Sequence, residues 1–151
     1  MYKRQILDTA AGEVSPSVFA SHIAPQTNPL ADAFPEKLGY YSKGITLDHV
    51  RDTVWNQPNW AGFGVDHRFS LEQLLTRSGR AGFLQGNFDQ AMLFADPGTF
   101  KKLLDQWLNP LKDLSPDQRV GWVCGVGHGV LPKTPEANVR SFIETVRAEF
   151  Q

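Results

Sequence analysis

An α/β fold of about five βα units with parallel strands is predicted by three features of the chain. Short apolar runs alternate with helical patterns, turn residues separate the two, and each run is followed at once by polar or glycine-rich residues. The strand candidates are residues 5–7, 38–41, 63–65, 81–84 and 120–126, each too short to be a helix.

The helices follow in order. Ser15-Pro16 opens one that reaches about Ala24, since proline suits the first helical position. Residues 47–54 form the next, and residues 55–60, with Pro58 between Asn56 and Asn59, read as a surface connection. Phe100, Leu103, Leu104, Trp107 and Leu108 recur at helical spacing and make one apolar stripe, with Asp96 as N-cap and Pro97 at N1. In the last helix Thr134 caps, Pro135 takes N1, Glu136 complements the dipole, and Val139, Phe142, Ile143 and Val146 form the buried face. No fixed-period repeat, heptad or Pro/Gly-rich linker divides the chain, so it reads as one piece of one domain.

Composition narrows the function classes. The 151 residues, 41% hydrophobic and 21% charged, are ordinary for a globular domain with a real core. A formal net charge of −1 leaves no global electrostatic footprint for nucleic acid or an anionic membrane, so neither is an expected partner. The single cysteine, Cys124, can form no internal disulfide and supplies no Cys-rich metal site, which points to a reducing compartment and a cytoplasmic protein. No run of 18 apolar residues predicts a membrane span.

Polar groups cluster where the strands end: Asp8-Thr9, Ser42-Lys43-Gly44, Asp66-His67-Arg68, Gln85-Gly86-Asn87 and Gly127-His128-Gly129. In a parallel barrel these points share one rim, the place where side chains from separate strands converge while loops vary. Taken singly, Asp8, Asp66 and Asn87 read as helix caps, and an isolated Gly-His-Gly as a histidine held in a tight turn.

Four ordered blocks then resemble the uroporphyrinogen decarboxylase family. Residues 127–139, Gly-His-Gly-Val-Leu-Pro-Lys-Thr-Pro-Glu-Ala-Asn-Val, are similar to its C-terminal signature, and Leu84-Gln85-Gly86-Asn87-Phe88-Asp89 to its Leu-Gln-Gly-Asn-Leu-Asp block. Gly64-Val65-Asp66 and residues 8–16, Asp-Thr-Ala-Ala-Gly-Glu-Val-Ser-Pro, supply the other two. Thr9 stands where the family usually has serine, Gln90 where it has proline, His67 where it has tryptophan and Gly125 where it has asparagine. Threonine keeps the hydroxyl; the other departures lie beside the motifs.

The resemblance implies a partial TIM (β/α)8 barrel comprising about five C-terminal βα units, and cofactor-free, metal-free decarboxylation of the four acetate side chains of uroporphyrinogen III to give coproporphyrinogen III. His128 and Thr9 are the substrate-binding residues it implies, each against a tetrapyrrole carboxylate or pyrrole group. Protonation of a pyrrole carbon makes the substrate its own electron sink, so the protein supplies acid-base groups and carboxylate anchors. No catalytic residue falls in this chain: the family's aspartate and arginines belong to an N-terminal region outside it. Asp66 and Asp89 are expected to organise loops, while Lys43 and Arg68 carry no assigned role. A homodimer is implied for the full-length protein.

Residues 1–5, Met-Tyr-Lys-Arg-Gln, resemble the translated end of a sequencing adaptor and are read as a candidate artefactual start, with 6–151 as the C-terminal part of one barrel domain. Because such a barrel takes ~250 residues, the chain alone is expected to leave sheet edges and its interior uncovered, and to be inactive. Two other functions compete: a zinc-dependent cobalamin or folate methyltransferase of the same superfamily, for which Cys124 with the scattered His22, His49, His67 and His128 gives no visible ligand set, and a non-catalytic barrel fragment.

Overall fold

The computed structural model describes residues 4–77 and 82–150. Met1 to Lys3 of the candidate artefactual start, and Ala81 of the fourth strand candidate, lie outside the described residues. Five strands, β1 (Arg4–Asp8), β2 (Leu38–Ser42), β3 (Gly62–Gly64), β4 (Phe83–Phe88) and β5 (Trp122–Val126), form one sheet in chain order. Every neighbouring pair is parallel. The architecture is α/β, part of a (β/α)8-type barrel with five βα units.

Register explains where the core lies. Ile6, Tyr40, Phe63, Leu84 and Trp122 are successive partners across all five strands. Because side chains alternate between faces, this row points one way, and each member belongs to or packs against the larger apolar cluster. The next row, Leu7, Tyr41, Gly64, Gln85 and Val123, points the other way. Leu7 is 67% exposed and Val123 46%, so that face is uncovered. Glycines there make room for the large side chains: a Cβ on Gly39 would lie 2.5 Å from the Phe83 ring, and one on Gly64 2.8 Å from Tyr41.

The first helical segment is longer than the sequence suggests. It comprises α1 (Pro16–Val18), a π-helical turn (Phe19–Ile23) and α2 (Ala24–Ala33). Pro25, just past Ala24, does not end it: α2 continues directly from the π-helical turn and holds Pro29 in its interior as well. The second helix, α3 (Leu47–Val50), is shorter than the expected 47–54. There the Thr53 hydroxyl donates to the His49 carbonyl at 2.7 Å, and the Trp55 N–H reaches back to Val50, so local bonds replace another helical turn. Residues 55–60 are not wholly a surface connection: Trp60 is buried against Tyr40 and Phe63, and Trp55 packs on the core.

Further on, α4 (Leu71–Leu75) is capped by Ser70, a helix the apolar pattern did not single out. β4 does not stop at Leu84 but continues through Gln85, Gly86 and Asn87, which pair with Val123, Cys124 and Gly125 of β5. Conversely β5 starts at Trp122 rather than Val120, because Gly121 at φ 78° turns the chain just before it. Burial pushes the thiol of Cys124, on the helix-facing side of β5, up to about 12.

α5 (Pro97–Lys112) follows the expected stripe, with Phe100, Leu104 and Leu108 buried. The Asp96 carboxylate accepts from the N–H groups of Gly98 and Thr99, both at 3.1 Å. Hydrogen bonds from Thr99 and then Gly98 hold this carboxyl below its usual range. Since the folded value is depressed, the stabilisation is present above the unfolded carboxylate value and is lost as pH falls through the folded one. Asp96→Ala should therefore melt lower than the parent at neutral pH, with the gap narrowing in acid; a gap independent of pH in thermal melts would contradict the charged-cap account.

α6 (Glu136–Phe150) closes the second cluster, in which Phe88 meets Phe100, Trp107 and Phe142. Two expectations for this helix need correction. The Thr134 hydroxyl donates to the Leu131 carbonyl at 2.6 Å, closing the preceding turn instead of capping the helix. Ile143 is 42% exposed, because Asn138 and Phe142, four apart, take the inward positions. Asn138 donates to the carbonyls of Leu93 and Ala95 at 2.8 and 2.9 Å.

Candidate functional site

The C-terminal strand ends carry a rim of loops linked in series. After β1, the Asp8 carboxylate accepts from the N–H groups of Ala10 and Ala11 and from the Tyr40 hydroxyl at 3.0 Å. Burial, with this carboxylate beside it, holds the Tyr40 phenol well above its usual value. Lys43 N–H donates to the Asp8 carbonyl, and Gly12 N–H to the Lys43 carbonyl. Gly12 has to be glycine, since a Cβ there would meet Lys43 and Gly44 backbone atoms at 2.4 to 2.6 Å.

Asp66, after β3, ties this loop to the next. It is 1% exposed and its carboxylate accepts from the Gly44 N–H at 2.8 Å, the Arg68 N–H at 3.0 Å and the Arg68 guanidinium at 2.6 Å. Asn87 continues the chain of contacts: its amide donates to the carbonyls of Asp66 and Phe69 and accepts from the Trp107 indole. Asp89 caps the short 3-10 turn that follows β4, accepting from Ala91 N–H. Asp66 and Asp89 thus organise the loops of the rim, as expected of them, whereas Asn87 caps no helix and braces the rim from within β4. Lys43 is exposed and Arg68 half-exposed.

Gly127 and His128 complete the rim past β5. Gly127 is clamped: a Cβ on it would sit 2.9 Å from the Asp66 Cα, and its N–H donates to the Phe88 carbonyl at 2.7 Å. Tyr41 reaches the same turn from β2. Its hydroxyl lies 2.7 Å from the Gly127 carbonyl oxygen and 3.3 Å from His128 Nδ1, and the two rings are parallel within 4°. Three strand spacings of ~4.8 Å separate β2 from β5 in a flat sheet, more than one tyrosine spans. The contact therefore exists only because the sheet curls, which brings its inner row onto the concave side. Burial, with Asp66 nearby, pushes the Tyr41 phenol up to about 12.

Thr9 sits exposed in the turn after β1 and His128 is half-buried after β5, so the two predicted residues follow opposite edge strands and no hydrogen bond joins them. Space beside His128 is open: a Cβ on Gly125 or Gly129 would meet nothing within 4 Å. Tyr41 had been placed only in a strand, and the sole hint of its role was its position at the end of β2, level with the rim. Among the described residues no group of three or more His, Cys, Asp or Glu converges as a metal-ligand set, so the donors a zinc methyltransferase needs are not gathered. No described helix is long and apolar enough to cross a membrane.

The model of the uroporphyrinogen decarboxylase (URO-D) family matches residues 4–149. The uroporphyrinogen decarboxylase of Prochlorococcus marinus (strain AS9601) is 28% identical over 145 residues, covering 93% of this chain and 39% of that protein. That of Pelobacter propionicus is 27% identical over 148 residues, covering 95% and 41% respectively. A stretch of 79 residues is 33% identical to the enzyme so named from Chlamydia muridarum. The chain spans about 39% of the length of the first of these relatives.

Proposed function

Because the chain belongs to the uroporphyrinogen decarboxylase family, we propose that it forms the C-terminal part of a single barrel domain that removes carbon dioxide from the four acetate side chains of uroporphyrinogen III, yielding coproporphyrinogen III. The reaction needs an electron sink, and a protonated pyrrole ring of the substrate is one. The protein's work is then to hold carboxylates and direct protons. Within this chain His128 would hold one substrate carboxylate and Thr9 another carboxylate or a pyrrole group, from opposite ends of the rim. The acid that protonates the pyrrole would come from the remainder of the barrel. A homodimer in the cytoplasm, with no metal or cofactor, accompanies this function.

One observation carries the proposal: His128 is held by Tyr41 at the rim, with open space at Gly125 and Gly129 through which an acidic macrocycle can approach. In the barrel that contains this chain, His128→Gln should raise KM for uroporphyrinogen by about 10- to 100-fold, the equivalent of losing ~1.5–3 kcal/mol of hydrogen bonding to a charged group. Thr9→Val should raise it by less. Steady-state kinetics check both, and an unchanged kcat/KM in His128→Gln would remove His128 from the site.

A further inference from the structure

The Tyr41 hydroxyl carries one proton and has two partners. An oxygen–oxygen separation of 2.7 Å needs a proton between the atoms, and the Gly127 carbonyl has none to give, so the Tyr41 proton lies on that bond. What remains toward His128 Nδ1, 3.3 Å away, is a phenol lone pair, which a ring nitrogen can meet only as N–H. The near-parallel rings keep the imidazole facing Tyr41 in this way. Burial and the Asp66 carboxylate, opposed by the Arg68 guanidinium, keep the phenol protonated.

From this geometry we infer that Tyr41 is a positioning residue that locks neutral His128 as its Nδ1–H tautomer and turns a bare Nε2 lone pair toward the open side of the rim. The form is the reverse of the one free histidine favours. It also differs from His49 in the same chain. There the Thr46 N–H donates to Nδ1 at 3.1 Å, so Nε2 must carry the proton and donate to the Val14 carbonyl at 3.0 Å.

The consequence for ligand rests on the substrate-binding role proposed above; the tautomer itself does not. A lone pair repels a carboxylate. An acidic substrate arm can therefore be held at Nε2 only together with a proton, either as a carboxylic acid or after the ring takes one up. The residue would thus be a carrier of the carboxyl proton rather than a fixed positive charge.

Long-range proton–nitrogen correlation spectra of the ligand-free chain, labelled with nitrogen-15 and recorded where the imidazoles are neutral, read both tautomers at once. His128 is expected to show a pyrrole-type Nδ1 and a pyridine-type Nε2, with His49 showing the opposite and so reporting that the fold is intact. In Tyr41→Phe, which keeps the ring but removes the hydroxyl, the major His128 form should revert to Nε2–H while His49 stays as it was. An Nε2–H form of His128 in the parent chain, or an Nδ1–H form that persists in Tyr41→Phe, would overturn the inference. Loss of substrate affinity is not part of this readout, so failure of the binding role and failure of the tautomer lock are seen separately.

Discussion

Phe88→Ala is expected to lower the free energy of unfolding by about 4 kcal/mol, in the usual range for a buried aromatic truncated to alanine. Phe88 is fully buried, with ring centroids 5.3 Å from Phe142, 5.4 Å from Trp107 and 6.1 Å from Phe100. No neighbour can slide into the space, because the first two stand on helices whose other contacts fix them and Phe88 itself belongs to a strand paired on both sides. The damage should be regional: the larger cluster, built around Tyr40, Trp60 and Leu84, does not include Phe88. Denaturant titration followed by tryptophan fluorescence checks the size, and a loss under about 1 kcal/mol would mean that the second cluster repacks freely.

The next largest effect is expected at Asp66. Replacing it with alanine strips the acceptor from two backbone N–H groups, Gly44 and Arg68, and should cost about 3 kcal/mol. Little of that comes from the ion pair, since the Arg68 side chain is 45% exposed and rehydrates on release. Asp66→Asn keeps one of the two acceptor oxygens, and because the two N–H groups bond different oxygens it leaves one of them facing an amide N–H, so it should cost about 2 kcal/mol. Chemical denaturation of the two variants checks both values, and a loss under about 1 kcal/mol in Asp66→Ala would remove the two N–H groups as the source of the effect.

How much of this was legible in the chain depends on distance along it. The five βα units, their parallel order and the α5 stripe follow from local alternation, and the Asp96 cap from three consecutive residues. The continuation of β4 was hidden because Gln85, Gly86 and Asn87 look like a loop. They are strand residues because Asn87 finds its partners on Asp66, Phe69 and Trp107, 18 to 21 residues away. Asn138 drew no structural reading for the same reason, its acceptors lying 43 and 45 residues upstream. Of the rim, Thr9 and His128 were visible as motif residues, and Asp66 as a loop brace. Tyr41 was not, since its bond to Gly127 spans 86 positions and depends on the curl of the whole sheet.

Cys124 gives that curled sheet an internal clock. With the thiol raised to about 12, only about one molecule in 10⁵ carries the reactive thiolate at neutral pH while the fold is closed. Its side chain packs against the cluster that Phe88 centres. Alkylation is therefore slow while that cluster stays packed, and the rate at which the thiol is lost reports its loosening, in a chain that has no second cysteine to confuse the tally.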